Sequence, residues 1–131
     1  MISHGRRKAK GSTFERDLVH KFWDAGWGAA RIAGSGSTRL PAPDIIVGKP
    51  GRIIVIEAKA SADKKKYLTS EEVDQLILLA KSLGAEPWIA VKFNGLDIKF
   101  CPANSAKRTE KSVVVSADDS LLLTFDELIA E

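Results

Sequence analysis

At 131 residues, 44% hydrophobic and 28% charged, the chain has material for one domain with a real core and is too apolar for a disordered segment. Its single cysteine, Cys101, excludes an intrachain disulfide, and it opens on no long apolar stretch, so it reads as cytoplasmic, without signal peptide or membrane span. The net charge of +3 hides an asymmetry: residues 1–66 carry fourteen Lys/Arg against six Asp/Glu, residues 67–131 six against eleven, which suggests a basic face for a polyanion.

Residues 1–11 hold Arg6, Arg7, Lys8 and Lys10 without apolar periodicity. They read as a flexible basic arm, suited to phosphates without reading sequence. Ser12 to Ala25 reads as a helix, with Phe14, Leu18, Val19 and Phe22 at helical spacing and Gly26 as its stop. Ser12-Thr13-Phe14-Glu15 matches a capping box. Glu15 nevertheless falls on the side of the apolar stripe, where a capping carboxylate has no need to be. Trp27 to Gly34 reads as a first strand containing Arg31. Residues 34–43, with their glycines, hydroxyls and prolines and with Arg39, read as a loop that must hang over whatever Asp44 does.

Residues 43–59 organise the rest. Two β-branched runs, Ile45 to Val47 and Ile53 to Ile56, flank Lys49-Pro50-Gly51-Arg52, a hairpin turn. The unbroken second run suits a strand covered on both faces. Glu57 and Lys59 follow it, and residues at i and i+2 of a strand share a face. Pairing across Lys49 to Arg52 brings Asp44 near both. Two close carboxylates repel, and an oxygen-only donor set suits Mg²⁺, with Mn²⁺ as substitute. A plain Glu57–Lys59 salt bridge with Asp44 capping a turn is the bland alternative.

Ala60 to Leu68, with Lys64, Lys65 and Lys66, reads as a solvated cationic loop placed for phosphate contacts. Thr69 to Leu83 is a second helix, with a Thr69…Glu72 capping box and Gly84 as stop. Its apolar arc is wider than one sheet contact needs, so Leu78, Leu79 and Leu83 are candidates for meeting a second subunit. Pro87 to Phe93 and Asp97 to Cys101 are strands around Asn94-Gly95, a hairpin signal. A short strand at Val113 to Val115 and a terminal helix opened by Thr124 with Glu127 complete a single domain over residues 1–131. The element order suggests an α/β class with a mixed central β-sheet flanked by helices.

Pro43-Asp44, twelve residues, then Glu57-Ala58-Lys59 resembles the PD-(D/E)xK nuclease motif. With its flanks, the stretch from Gly11 to Phe100 resembles archaeal Holliday junction resolvases of the Hjc type. The resemblance implies a restriction-endonuclease-like core and a Mg²⁺-dependent endonuclease acting on four-way DNA junctions, as a homodimer with no membrane attachment, intracellular and nucleoid-associated. It implies metal-site roles for Asp44, Glu57 and Glu15, and a catalytic role for Lys59. Arg16 matches the basic residue that follows the family's acidic one, and Arg31 a backbone-contacting arginine. Ser35 matches an assisting serine, with Ser37 as the alternative. A nuclease of the same chemistry acting on other DNA in repair, and a non-catalytic junction-binding module, remain open beside it.

Overall fold

In the computed structural model, which describes residues 2–32 and 40–130 with side chains from residue 13 onward, eight strands and three helices follow in chain order. They are α1 (Ile2–Asp24), β1 (Gly28–Arg31), β2 (Ile45–Lys49), β3 (Arg52–Ser61), β4 (Lys65–Thr69), α2 (Ser70–Leu83), β5 (Glu86–Phe93), β6 (Lys99–Pro102), β7 (Lys107–Arg108), β8 (Ser112–Ser116) and α3 (Phe125–Ala130). A 3₁₀ turn, Ala103–Ser105, lies between β6 and β7. The main sheet runs β1-β2-β3-β5-β6 and a smaller one β4-β8-β7.

β3 is the central strand because it is apolar on both sides. Ile54 and Ile56 enter one cluster with Leu18 and Phe22 of α1, Trp88 and Phe100. Val55 points the other way, into a cluster with Val73, Leu76 and Ala80 of α2, Ile89 and Val91. Helices therefore cover opposite faces of the sheet, the layered α/β arrangement expected. β2 and β3 pair antiparallel with Lys49 opposite Arg52, and Gly51 makes the turn at φ 88°, a left-handed conformation open to glycine. β3 and β5 pair parallel, which requires the long crossover through β4 and α2. The Asn94-Gly95 hairpin joins β5 to antiparallel β6. The α2 cap forms as anticipated: Thr69 and Glu72 exchange capping hydrogen bonds and Gly84 closes the helix at φ 69°. Among the described residues no helix is long and apolar enough to cross a membrane.

Two expectations need correction. Residues 2–11, read as a flexible arm, continue α1 back to Ile2. Ala9 and the basic residues of that stretch have high helix propensity, which local apolar periodicity does not register. Ser12 and Thr13 consequently sit inside the helix instead of capping it. The cationic loop is also partly a strand: Lys65 and Lys66 begin β4, which pairs with β8 at Lys65↔Ser116 through Thr69↔Ser112.

Candidate functional site

Asp44 sits where three strands meet. Its backbone N–H donates to the Ile56 carbonyl (3.0 Å), and its carbonyl accepts from the Ile32 N–H (2.9 Å). Its side chain is aimed by the neighbouring strand, because Oδ2 accepts the Ala58 N–H at 2.8 Å. The hairpin register thus places Asp44 beside the stretch from Glu57 to Lys59, as the turn at Lys49 to Arg52 requires.

Glu57 and Lys59 leave β3 on the Val55 side, toward α2. Lys59 Nζ lies 3.4 Å from Glu57 Oε2 and 2.7 Å from Oε1 of Glu72 in the first turn of α2. The other Glu72 oxygen, Oε2, accepts from the Thr69 backbone N–H at 2.9 Å and from its hydroxyl at 3.2 Å. One carboxylate therefore caps the helix and holds the lysine.

The electrostatics are polarised. Burial, and then the Asp44 charge, push the Glu57 carboxyl from 4.5 up to about 7. Burial works against the Lys59 ammonium, yet the Glu72 bond and the two glutamate charges outweigh it, and the lysine pKa is raised. Burial likewise opposes the Glu72 charge, and the Lys59 and Thr69 bonds overcome it, so its pKa is lowered. The site thus holds a fixed Lys59–Glu72 ion pair beside a Glu57 that resists ionisation next to Asp44. A divalent cation between Asp44 and Glu57 would remove that resistance, and their oxygen-only chemistry suits a hard ion.

The remaining expected residues separate into groups. Glu15 accepts from Arg31 Nε at 3.2 Å. Arg31 stands opposite Ile45 in the β1–β2 register, so this pair borders Asp44. Among the described residues no group of three or more His, Cys, Asp or Glu side chains gathers to hold a metal. Arg16 is exposed on α1, and Lys64 and Lys65 are exposed with Lys66 half-buried. Ser35, Ser37 and Arg39 lie outside the described residues, as do the side chains of Arg6, Arg7, Lys8 and Lys10. On α2, Leu78 is 56% and Leu83 49% exposed, whereas Leu79 packs partly against the second core cluster.

The sequence reading missed Glu72 as a site residue. A Glu three positions after a helix-opening Thr was already explained by capping, and only the fold brings it to Lys59. It also missed an ion-pair clamp on the hairpin turn. Arg52 donates to both Glu86 oxygens (2.8 and 3.0 Å) and to the Leu128 carbonyl (2.7 Å), and Trp88 Nε1 donates to Glu86 (3.0 Å).

The family model for archaeal Holliday junction resolvase (Hjc) matches residues 6–130. The chain belongs to the Hjc family. It is 41% identical over 105 residues to the crossover junction endodeoxyribonuclease Hjc of Archaeoglobus fulgidus, covering 80% of this chain and 77% of that one. It is 36% identical over 126 residues to the Hjc of Sulfolobus acidocaldarius, covering 93% and 87%. The solved structure of Archaeoglobus fulgidus Hjc, described as a Holliday junction resolvase from an archaeal hyperthermophile, superposes with a TM-score of 0.84 at 35% identity, covering 93% of this chain and 97% of that one. The mixed sheet between helices is thus the restriction-endonuclease-like core of an Hjc fold.

Proposed function

We propose that this Hjc chain is a divalent-metal-dependent endonuclease that resolves four-way DNA junctions by paired nicks on chromosomal DNA inside the cell. The observation that carries the reading is the convergence of Asp44, Glu57 and Lys59 at one end of the β2–β3 hairpin, with Glu57 held near pKa 7 by burial and Asp44.

Asp44 and Glu57 would hold the metal, Mg²⁺ by preference and Mn²⁺ as substitute. Bound there, it supplies Lewis-acid polarisation of the scissile phosphate and lowers the pKa of a nearby water. The protein's own part is positioning and charge. The Ala58 N–H fixes the Asp44 carboxylate. Lys59, kept protonated by Glu72, orients the attacking water and stabilises the negative charge that grows on the phosphate. Water adds to phosphorus, one P–O ester bond breaks, and the products are a hydroxyl and a phosphomonoester end. An ammonium so held is a donor and a charge and has no proton vacancy for base chemistry. Glu15, beside Arg31 at the border of the site, would add a carboxylate to the metal site, and Arg31 would meet the DNA backbone. The basic N-terminal part of α1, Arg16, Arg39 and Lys64 to Lys66 supply phosphate contacts, and Ser35 or Ser37 an assisting hydroxyl. Leu78 and Leu83 provide apolar surface for a two-fold dimer that presents two such sites to the two strands.

Cleavage of a fixed four-way junction and of a linear duplex of the same sequence, each with Mg²⁺ and with chelator, tests this. Junction-selective, Mg²⁺-dependent nicking supports the reading. Equal cutting of the duplex leaves a repair nuclease, and binding without cutting leaves a non-catalytic junction module.

A further inference from the structure

The small sheet β4-β8-β7 has one face in the core and one in water. Leu68, Val113 and Val115 are buried in the second cluster. Side chains alternate along a strand, so Lys65, Tyr67 and Thr69 project together from the other face, and all three are exposed. Tyr67 is 60% exposed, a large ring left in water on a sheet that has a core to fill. The register carries this face across the sheet: Tyr67 stands opposite Val114, and Val114 opposite Lys107, also exposed. Strand spacing puts Lys107 about 10 Å to one side of Tyr67, and strand rise puts Lys65 about 7 Å along from it. Among the described residues the side chains of Lys65, Tyr67 and Lys107 have no hydrogen-bond or ion-pair partner, whereas Arg108, the next residue of β7, is paired with Asp74 at 2.9 Å.

This face leads to the cleavage site. Thr69, the third outward residue of β4, bonds Glu72, and Glu72 bonds Lys59. The outward face of β4 is thus connected through Thr69 and Glu72 to the catalytic lysine.

Two cations around an exposed aromatic ring suit a nucleic acid with an uncovered base face, the cations taking phosphates and the ring the base. A continuous duplex hides both faces of every internal base. The branch point of a four-way junction interrupts stacking and uncovers some. Resting on the junction-nuclease reading above, we infer that Tyr67 is a stacking site for a base at the junction branch point, with Lys65 and Lys107 holding the adjoining phosphates. Structure selectivity then has a local source in each subunit, in addition to any spacing set by a dimer.

The test is binding of a fixed junction and of a linear duplex in chelator, with 2-aminopurine placed at the branch, followed by Mg²⁺ cleavage by the same proteins. Stacking on one base by an aromatic side chain is worth roughly 5- to 150-fold in affinity. Tyr67→Leu, an exposed substitution whose fold is checked by its melting temperature, is expected to weaken junction binding by that order. It should leave duplex binding unchanged and abolish the quenching of 2-aminopurine. Tyr67→Phe is expected to bind and quench as the parent does. Lys65→Gln with Lys107→Gln is expected to weaken both DNAs and to lower the salt slope by about two units. Parent-like junction binding by Tyr67→Leu, or an equal loss on duplex and junction, overturns the stacking site. A parent protein that does not cut junctions at all overturns the function reading, and the two failures are read on separate axes.

Discussion

Lys59 and Glu72 form a 2.7 Å ion pair that joins the end of the central strand to the first turn of the crossover helix. The same glutamate completes the capping box with Thr69, so helix start and lysine position are set by one side chain. Glutamine also serves in a capping box. Glu72→Gln can therefore keep the Thr69 bonds while turning an amide N–H₂ toward the ammonium. The expected result is near-parental melting and junction binding, with the single-turnover cleavage rate down about 10-fold or more. Lys59→Ala alone should cost roughly 10²–10⁴-fold, and Lys59→Arg should recover only part, since a guanidinium is larger and planar. In the Lys59→Ala background, Glu72→Gln should add no further loss. An additive loss in that double variant would show that Glu72 acts elsewhere.

Glu57 ties stability to pH. Burial and Asp44 raise its pKa from 4.5 to about 7 in the folded protein, so between those values the native state holds a proton that the unfolded chain has released. Stability must then fall as pH rises through this window. At about 1.4 kcal/mol per pKa unit the loss approaches about 3 kcal/mol by pH 8. Thermal melts of metal-free protein from pH 4.5 to 8, compared with Glu57→Gln, isolate this component from the other carboxylates. The parent should lose stability relative to the variant as pH rises, and Mg²⁺ should restore it near pH 8 by binding the folded form. Parallel curves for the two proteins would remove Glu57 as the strained group.

The Arg52 clamp belongs to stability. Its guanidinium holds Glu86 at the start of β5 and the Leu128 carbonyl in α3, at the turn end of the hairpin, away from Asp44. Hydrogen bonds to a charged group of this kind are worth about 1.5–3 kcal/mol. Arg52→Ala is expected to lower unfolding free energy by roughly 2 kcal/mol while leaving the junction cleavage rate of the folded protein within about two-fold. Chemical denaturation followed by an assay at low temperature separates the two effects.

How much of this could be read in the chain depended on how far apart the partners are. The β2–β3 hairpin was legible because its turn residues and β-branched runs are adjacent, so Asp44 could be placed beside Glu57 and Lys59 before any fold was known. Both caps of α2 were legible for the same reason. Glu72 was not, since its local partner Thr69 already explained it and Lys59 lies across a crossover. Arg52 and Glu86 lie on different strands and form no motif. β4 was masked by Lys64 to Lys66, because its one buried apolar residue, Leu68, finds its neighbours Val113 and Val115 far along the chain. The N-terminal turns of α1 were missed because helix propensity without apolar spacing looks like a tail.

Leu78 and Leu83, 56% and 49% exposed on α2, are the surface proposed for the dimer. Leu79 is a poor probe, because it packs partly against the core and a charge there disturbs folding too. Leu78→Glu with Leu83→Glu is expected to melt like the parent and sediment as a 14 kDa monomer where the parent sediments at twice that mass. Paired nicking needs two sites related by two-fold symmetry, so the variant should nick one strand at a time. A parent that remains monomeric on junction DNA and still cuts both strands in one binding event would rule the dimer out.

In the proposed mechanism Asp44 and Glu57 do chemistry on a junction they do not themselves grip. A cruciform-bearing supercoiled plasmid tests it most directly, because coordinated cuts across the four-way junction give a linear product and a lone cut gives a nicked circle. With Mg²⁺, the parent is expected to give linear plasmid, and Asp44→Asn and Glu57→Gln to give neither product while binding the junction at least as tightly. Linear product from either variant, or loss of junction binding in both, would overturn these roles for Asp44 and Glu57.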